Sequence, residues 1–226
     1  MSTHSAAADP RLTGDSLAPT QVKPRDILVV LSTTYHTHFW SAMNSDSTSV
    51  AEAQRDMRAA YYGGAPGMLV SALVWFAAGG VAVTSTPARA IVALFVGGMG
   101  IHPVGVVLAK ALGRTGVHTR GNPLGGLALE STVLLLLGFP LAYVVSQAHS
   151  EWFFAAMLLV IGGRYFVFAT LYGMRVYWAC GALLAVAGFL LVAMHAPFPV
   201  GAFVGALIEG AFAVRIFLLI RGAGPV

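Results

Sequence analysis

From residue 63 onward the chain alternates between long apolar stretches and short polar breaks. A helix needs about 20 residues to cross ~30 Å of hydrocarbon, and six stretches are of this order. They cover residues 67–83, 88–108, 124–145, 152–171, 176–193 and 201–220. The period-two alternation of a membrane β-barrel is absent. The pattern therefore predicts an all-α polytopic membrane protein, with six transmembrane helices bundled within residues 63–226.

A shorter segment, residues 47–62, has a different pattern. Its Ser/Thr-rich start suits a helix cap, and Val50, Met57 and Tyr61 recur at helical spacing. The remaining positions are mostly polar or charged, among them Glu52, Arg55, Asp56 and Arg58. We expect a short amphipathic helix that lies at the membrane interface and leads into the first span.

Residues 1–46 are rich in Ser, Thr, Ala, Pro and charge. This composition cannot bury a core, so the segment is predicted to be a disordered polar N-terminal extension. Met43 offers a second start position. Whether residues 1–42 belong to the native protein or form an upstream extension is left open by the sequence.

Composition agrees with a membrane protein. Hydrophobic residues make up 57% of the chain and charged residues 10%, against about 25% charged in an average soluble domain. The net charge of +4 comes without any run of lysine or arginine, so nucleic-acid binding is rejected and the lipid bilayer is the expected partner. A lone cysteine, Cys180, excludes a disulfide framework, and no metal or cofactor is expected.

The basic residues are distributed asymmetrically about the six spans. Eleven lysines and arginines fall on the side that carries the N-terminal segment, and only Arg89 falls on the other. Cytoplasmic loops of membrane proteins are enriched in these residues. We therefore expect a multi-pass protein of a prokaryotic inner membrane with both termini in the cytoplasm.

Apart from Arg89 and Arg215, which are counted with the span ends, four charged or histidine residues fall inside the predicted spans: His102, Glu130, Arg164 and Glu209. Such residues are costly in a bilayer and often mark a functional site. At 1.5 Å per residue, Glu130 and His102 lie roughly 9 Å, and Arg164 roughly 10 Å, from the same end of their spans. The matching depths make a Glu130–Arg164 ion pair between the third and fourth spans feasible.

Two interpretations of this intramembrane polar cluster remain open. It could relay protons, or bind a cation or small polar solute. Alternatively, Glu130 and Arg164 could pair only to hold two helices in register, with His102 at a helix end. Glu209 has no partner that the sequence identifies, which makes it the better functional candidate.

Small residues recur along one face of the sixth span, where they let membrane helices approach closely. They are Gly201, Ala202, Gly205, Ala206 and Gly210. The sequence predicts a helix-packing face here. It leaves open whether the partner lies within the chain or in a second copy, so a homo-oligomer through the sixth span is one expectation.

Motifs for hydrolytic chemistry are lacking, since neither HExxH nor GxSxG occurs. We therefore expect a protein that is not an enzyme. The favoured function is a small solute or ion transporter, or a channel-like protein, that uses the polar cluster. The alternative is a non-catalytic membrane protein that packs with itself or a partner. A membrane enzyme is the least favoured of the three functions.

Three short motifs carry a family resemblance. They are VAEAQRDMRAAYYGGAPG before the first span, HPVGVVLAKALG at the end of the second and NPLGGLALES at the start of the third. With these motifs, the region from Val50 to the sixth span resembles a small family of uncharacterised prokaryotic multi-pass membrane proteins. The resemblance implies the six-helix architecture. It implies no activity and no site residues.

Overall fold

The computed structural model describes residues 49–222, so the N-terminal extension predicted to be disordered lies outside the described residues. Within this range the chain forms seven α-helices, one 3₁₀ turn and no strand. The helices are α1 (Val50–Tyr61), α2 (Ala65–Thr84), α3 (Pro87–Ala111), α4 (Leu124–Ala148), α5 (Trp152–Tyr172), α6 (Val176–Ala193) and α7 (Phe198–Gly222), and the turn is Tyr62–Gly64. Helices α2 to α7 carry the six segments that are long and apolar enough to span a membrane. The predicted all-α, six-span architecture is confirmed.

Helix α1 begins with a reciprocal cap. The Ser49 hydroxyl accepts from the Glu52 backbone N–H at 3.2 Å, and the Glu52 carboxylate accepts from the Ser49 N–H at 3.0 Å. The predicted capping at this end is therefore confirmed, and it satisfies backbone donors that have no partner inside the helix.

The buried face of α1 differs from the expected one. Val50 is 61% exposed, whereas Ala53, Met57 and Ala60 are buried. The two alanines let the helix approach the end of the bundle closely, which a stripe of larger side chains would prevent. The interfacial position of α1 in a membrane stays a prediction.

The turn between α1 and α2 depends on three consecutive left-handed residues, Tyr62, Gly63 and Gly64, with φ of 53°, 61° and 85°. A Cβ on Gly64 would collide with the Tyr177 hydroxyl. That hydroxyl donates a 2.6 Å hydrogen bond to the Gly63 carbonyl. Glycine is therefore required by both backbone conformation and space, and the turn is fixed to α6.

The six spanning helices pack as two halves. One half comprises α2, α3 and α7, and the other comprises α4, α5 and α6, with the closest packing between α2 and α7 and between α5 and α6. Large side chains from both halves share a core of Trp75, Phe153, Phe154, Leu158 and Leu184, all at most 1% exposed. Across residues 49–222, α3 and α4 share no extended packing face, although the rings of Phe95 and Phe139 pack between them with centroids 4.8 Å apart.

The small-residue face of α7 is used inside the chain. A Cβ on Gly201 would lie 2.7 Å from the Phe154 Cβ, and one on Gly205 would lie 2.9 Å from the Trp75 ring. Ala202 is fully buried and Ala206 packs at the edge of the core. This face is therefore occupied by α2 and α5. A second copy would have to meet α7 on its outward face, and such a homo-oligomer stays a prediction.

Candidate functional site

A cavity of about 130 Å³ lies between the two halves, in the part of the bundle nearer to α1. Most of its wall is apolar, with Met68, Ile101 and Leu135 among the lining residues. The ionisable and hydroxyl-bearing residues that also line it are Tyr61, Ser71, His102, Arg164, Tyr165, Tyr172 and Glu209. A concave, largely apolar site with a few converging polar groups is the usual form of a small-molecule site.

Glu209 is the most deeply buried ionisable residue of the cavity, with 1% of its surface exposed. The Tyr165 hydroxyl donates to its Oε1 at 2.8 Å, and Ser71 lies beside the same carboxylate. No donor within residues 49–222 meets hydrogen-bond geometry at its other oxygen, Oε2. Because an unpaired buried polar atom costs about 1–3 kcal/mol, a further donor that reached this oxygen would stabilise the site.

Arg164 presents the complementary charge from α5. Its Nη2 donates to the Thr132 hydroxyl on α4 at 3.2 Å, and its guanidinium carbon lies 5.0 Å from the centre of the Phe168 ring. Its Nε is buried and has no acceptor among the described residues. Arg164 and Glu209 form no direct ion pair. The side-chain nitrogens of Arg164 lie more than 4.0 Å from the carboxylate oxygens of Glu209.

The predicted ion pair between Glu130 and Arg164 is wrong. Glu130 is exposed, does not line the cavity and makes no salt bridge within residues 49–222. Two residues at the same depth can still point in different directions, because depth does not fix the rotation of each helix about its axis. Thr132, which does bond Arg164, lies two residues further along α4 and is therefore turned about 200° from Glu130.

The other three predicted cluster residues share the cavity. His102, Arg164 and Glu209 all line it, although His102 is exposed and stands toward its mouth. They come from α3, α5 and α7 and are brought together by tertiary packing alone. The structure places them in one site, while their role stays a prediction.

Sequence reasoning missed two further residues of the site, Tyr165 and Ser71. Both are hydroxyl-bearing residues within apolar helices, and Tyr165 follows Arg164 directly. Hydroxyl groups in spans often bond to other helices, so this signal was available. Only the structure, however, shows that both face Glu209.

A second cavity of about 390 Å³ adjoins the first. The two share four lining residues: Tyr61, His102, Phe168 and Tyr172. The second cavity extends to Leu129 and Thr132 on α4 and to His118 in the α3–α4 loop. Together the two cavities extend from His118 in the α3–α4 loop to Glu209, and we call this region the cavity path.

At the end of this path that lies nearest to α1, polar contacts join α1 to the α3–α4 loop. Asp56 accepts from the Asn122 amide at 2.7 Å and from the Thr119 backbone and hydroxyl at 3.0 Å each. The Tyr61 hydroxyl is 2.9 Å from Nδ1 of His118. We call these five residues the α1 clasp.

The electrostatics of the clasp centre on Asp56. Partial burial raises the pKa of this carboxyl, but the hydrogen bonds from Asn122 and Thr119 outweigh it and hold the pKa below its usual value. Asn122 also caps the start of α4, since its side-chain oxygen accepts from the Leu124 N–H at 2.9 Å. One asparagine thus joins the clasp to the start of a spanning helix.

Helix α1 is also bonded to the last turn of α5. The Gln54 amide donates to the Thr170 carbonyl at 2.7 Å, and the Arg58 guanidinium donates to the Tyr172 carbonyl. The final carbonyls of a helix lack intrahelical partners and carry partial negative charge. A cation at Arg58 therefore fits this position, and α1 covers the end of α5 as well as the cavity path.

Metal ligation has no support in the described part of the chain. Within residues 49–222, no three His, Cys, Asp or Glu side chains are grouped so as to hold a metal ion. Cys180 is a free thiol, fully buried on α6.

The fold and the cavity define a multi-pass helical membrane protein with a polar site inside its bundle. Residues 50–219 match the model of a family of unknown function, DUF7010, and the chain belongs to this family. No curated protein and no solved structure matches it. The expected membership of an uncharacterised membrane-protein family is confirmed at this level, and a prokaryotic origin stays a prediction.

Proposed function

We propose that this protein is a small-solute transporter of a prokaryotic inner membrane, and that the 130 Å³ cavity is its solute site. The observation that carries the proposal is the free Oε2 of Glu209, on a side chain with 1% exposure. A carboxylate held in a membrane bundle is expensive unless it is paired or has a function. Here Glu209 lines the cavity, and one of its oxygens has no donor among residues 49–222.

The division of the bundle supports a transport cycle. Ser71, His102 and Glu209 belong to the half formed by α2, α3 and α7, whereas Arg164 and Tyr165 belong to the other half. In many carriers one helix group rocks against another around a central site. A solute that touches both halves would bias their relative position, because it binds one arrangement better than the other.

The basic residues of the described region support an orientation in the membrane. Eight of them lie at the α1 end of the bundle, and Arg89 lies alone at the opposite end. The positive-inside tendency supports a cytoplasmic α1 end. In this orientation the cavity path opens toward the cytoplasm. Because an even number of spans separates residues 49 and 222, these two residues lie at the same end.

In this role the protein is a carrier that moves its solute without a chemical reaction. Solute entry into proteoliposomes tests it directly. Vesicles with the full chain are exposed to small neutral and zwitterionic solutes, and entry is followed by light scattering. We expect at least one solute to enter faster than into protein-free vesicles.

Two substitutions make this experiment specific. Glu209→Gln should abolish the faster entry. Glu130→Gln should retain it, because Glu130 is an equally charged spanning residue outside the cavity. Equal entry with and without protein for every solute would contradict the proposal and favour a non-catalytic protein that packs with a partner.

A further inference from the structure

We infer that the cavity takes a small zwitterion, whose ammonium group binds Glu209 and whose carboxylate binds Arg164. This inference rests on the proposed transport function and names the substrate class of the same site. It starts from two atoms that the described chain leaves without partners, Oε2 of Glu209 and Nε of Arg164. One is a charged acceptor and the other a charged donor, and both residues line one cavity.

The two charges are held apart by their own protein contacts. Glu209 is bonded to Tyr165, while Arg164 bonds Thr132 on α4 and covers the ring of Phe168 on its own helix. They do not form a direct ion pair. Opposite charges in a low-dielectric site attract strongly, so their separation leaves room for an occupant that bridges them.

Charge complementarity selects a ligand with both signs. A simple anion would satisfy Arg164 but would meet repulsion from Glu209, and a simple cation would have the reverse problem. A neutral solute would leave two desolvated charges without counter-charges, which is unfavourable. Only a molecule with an ammonium at one end and a carboxylate at the other pairs both groups.

The cavity volume limits the size of this ligand. A protein cavity of about 150 Å³ can hold a molecule of the size of benzene, and the present cavity measures about 130 Å³. The ligand should therefore have about six non-hydrogen atoms. Short amino acids with an unbranched chain meet this limit, and the apolar wall at Met68 and Ile101 accepts their methylene groups.

A series of amino acids tests the inference by varying the distance between the two charges. Glycine, β-alanine and γ-aminobutyrate are titrated into the purified full chain in nanodiscs, with methylammonium and acetate as one-ended comparisons. We expect one member of the series to bind at least 10-fold more tightly than either one-ended compound. The preferred member then reports the distance between the charges.

Substitutions at both ends of the site complete the test. Glu209→Gln and Arg164→Gln should each weaken binding of the preferred amino acid by 10-fold or more. If Arg164→Gln does not fold, Arg164→Lys replaces it, because it keeps the charge and removes Nε. Glu130→Gln and Arg215→Gln are matched controls, since both residues are exposed and outside the cavity, and each should change binding by less than 2-fold.

The outcomes separate this inference from the transport proposal. Equal binding of methylammonium, acetate and the amino acids would overturn the zwitterion assignment, as would wild-type affinity in the Glu209→Gln variant. Entry of urea or glycerol into proteoliposomes, without entry or binding of any zwitterion, would refute this inference and leave the transporter in place. Preferred binding of a zwitterion without entry of any solute would refute transport and leave the ligand assignment in place, whereas absence of both binding and entry would refute both.

Discussion

The Tyr165 hydroxyl donates a 2.8 Å hydrogen bond to Glu209 and so joins α5 to α7 across the two halves of the bundle. Among residues 49–222 this is the bond to the Glu209 carboxylate that meets strict hydrogen-bond geometry, and the Ser71 hydroxyl lies beside the same carboxylate. Both residues are buried, with 5% and 1% of their surface exposed. The bond therefore fixes the carboxylate at the cavity wall and leaves its second oxygen without a donor that meets hydrogen-bond geometry among the described residues.

Removal of this bond should destabilise the protein. Tyr165→Phe keeps the ring but removes the 2.8 Å bond to Glu209, so we expect a loss of about 1–3 kcal/mol in the free energy of unfolding. Chemical unfolding in detergent measures the loss. Tyr143→Phe is the control, because Tyr143 is 48% exposed, and it should change stability by less than about 0.5 kcal/mol. Equal effects of the two substitutions would show that the bond is absent in solution.

The separation of Glu130 from Arg164 predicts additive substitutions. Residues without shared contacts usually have effects that add within about 0.5 kcal/mol. We therefore expect Glu130→Gln, Arg164→Gln and the double variant to form an additive cycle in detergent unfolding. A coupling of more than about 1 kcal/mol would show that the two side chains meet. It would contradict the rotation of α4 that turns Glu130 away from Arg164.

The α1 clasp should depend on pH through Asp56. The hydrogen bonds lower its folded pKa below its unfolded value, which is about 3.9. The stabilisation is therefore present above that pH and is lost as the pH falls through the folded pKa. We expect Asp56→Asn to cost about 1–2 kcal/mol at pH 7 and progressively less in acid.

Unfolding of wild type and the Asp56→Asn variant at several pH values measures this difference. Asn122→Ala provides the companion measurement, since it removes a donor to Asp56 and the cap of α4. It should reduce stability at pH 7 as well. A wild-type advantage that is constant between pH 7 and pH 3 would refute the role of the Asp56 charge.

Two glycines on α7 should respond oppositely to alanine. A Cβ on Gly205 would lie 2.9 Å from the Trp75 ring and 3.0 Å from Leu158, whereas one on Gly210 would meet Ala72 at an ordinary 3.8 Å. Gly205→Ala should therefore cost about 1–3 kcal/mol through overpacking. Gly210→Ala should be neutral or stabilising, because alanine favours the helix by about 1 kcal/mol. A reversed order in thermal unfolding would contradict this packing.

Cysteine labelling should show that the cavity is wet. In a Cys180→Ala background, Ser71→Cys should react with a small hydrophilic thiol reagent, since Ser71 lines the cavity. Leu184→Cys should not react, because Leu184 is fully buried in the core. With a membrane-impermeant reagent, labelling of Ser71→Cys from the cytoplasmic side alone is expected. Labelling from the outer side alone would refute the orientation.

Much of the fold was predictable from the sequence because the bilayer imposes a local rule. Each spanning segment must be apolar for about 20 residues and must satisfy its backbone within a helix. The order and approximate bounds of the six spans therefore follow from hydrophobicity alone. The cap at Ser49 and Glu52 is similarly local, since all of its contacts lie within one helical turn.

The site was only partly predictable, because helix rotation about the axis is decided by packing. Glu130 and Arg164 have matching depths, yet Glu130 is exposed while Arg164 lines the cavity. The apolar spans give little indication of which face turns inward, since lipid and protein interior are equally apolar. The sequence identified His102, Arg164 and Glu209 as costly residues, whereas the tertiary structure alone joined them.

The sequence by itself determined that this chain crosses a membrane six times, where it turns and which residues carry charge inside the bundle. The tertiary structure decided that Glu209 is bonded to Tyr165, that α1 is held by the clasp and that the small-residue face of α7 is occupied by α2 and α5. The physical reason is the range of the interactions. Hydrophobic length and helix capping act within one segment, whereas cavities and buried hydrogen bonds depend on how several rotated helices meet.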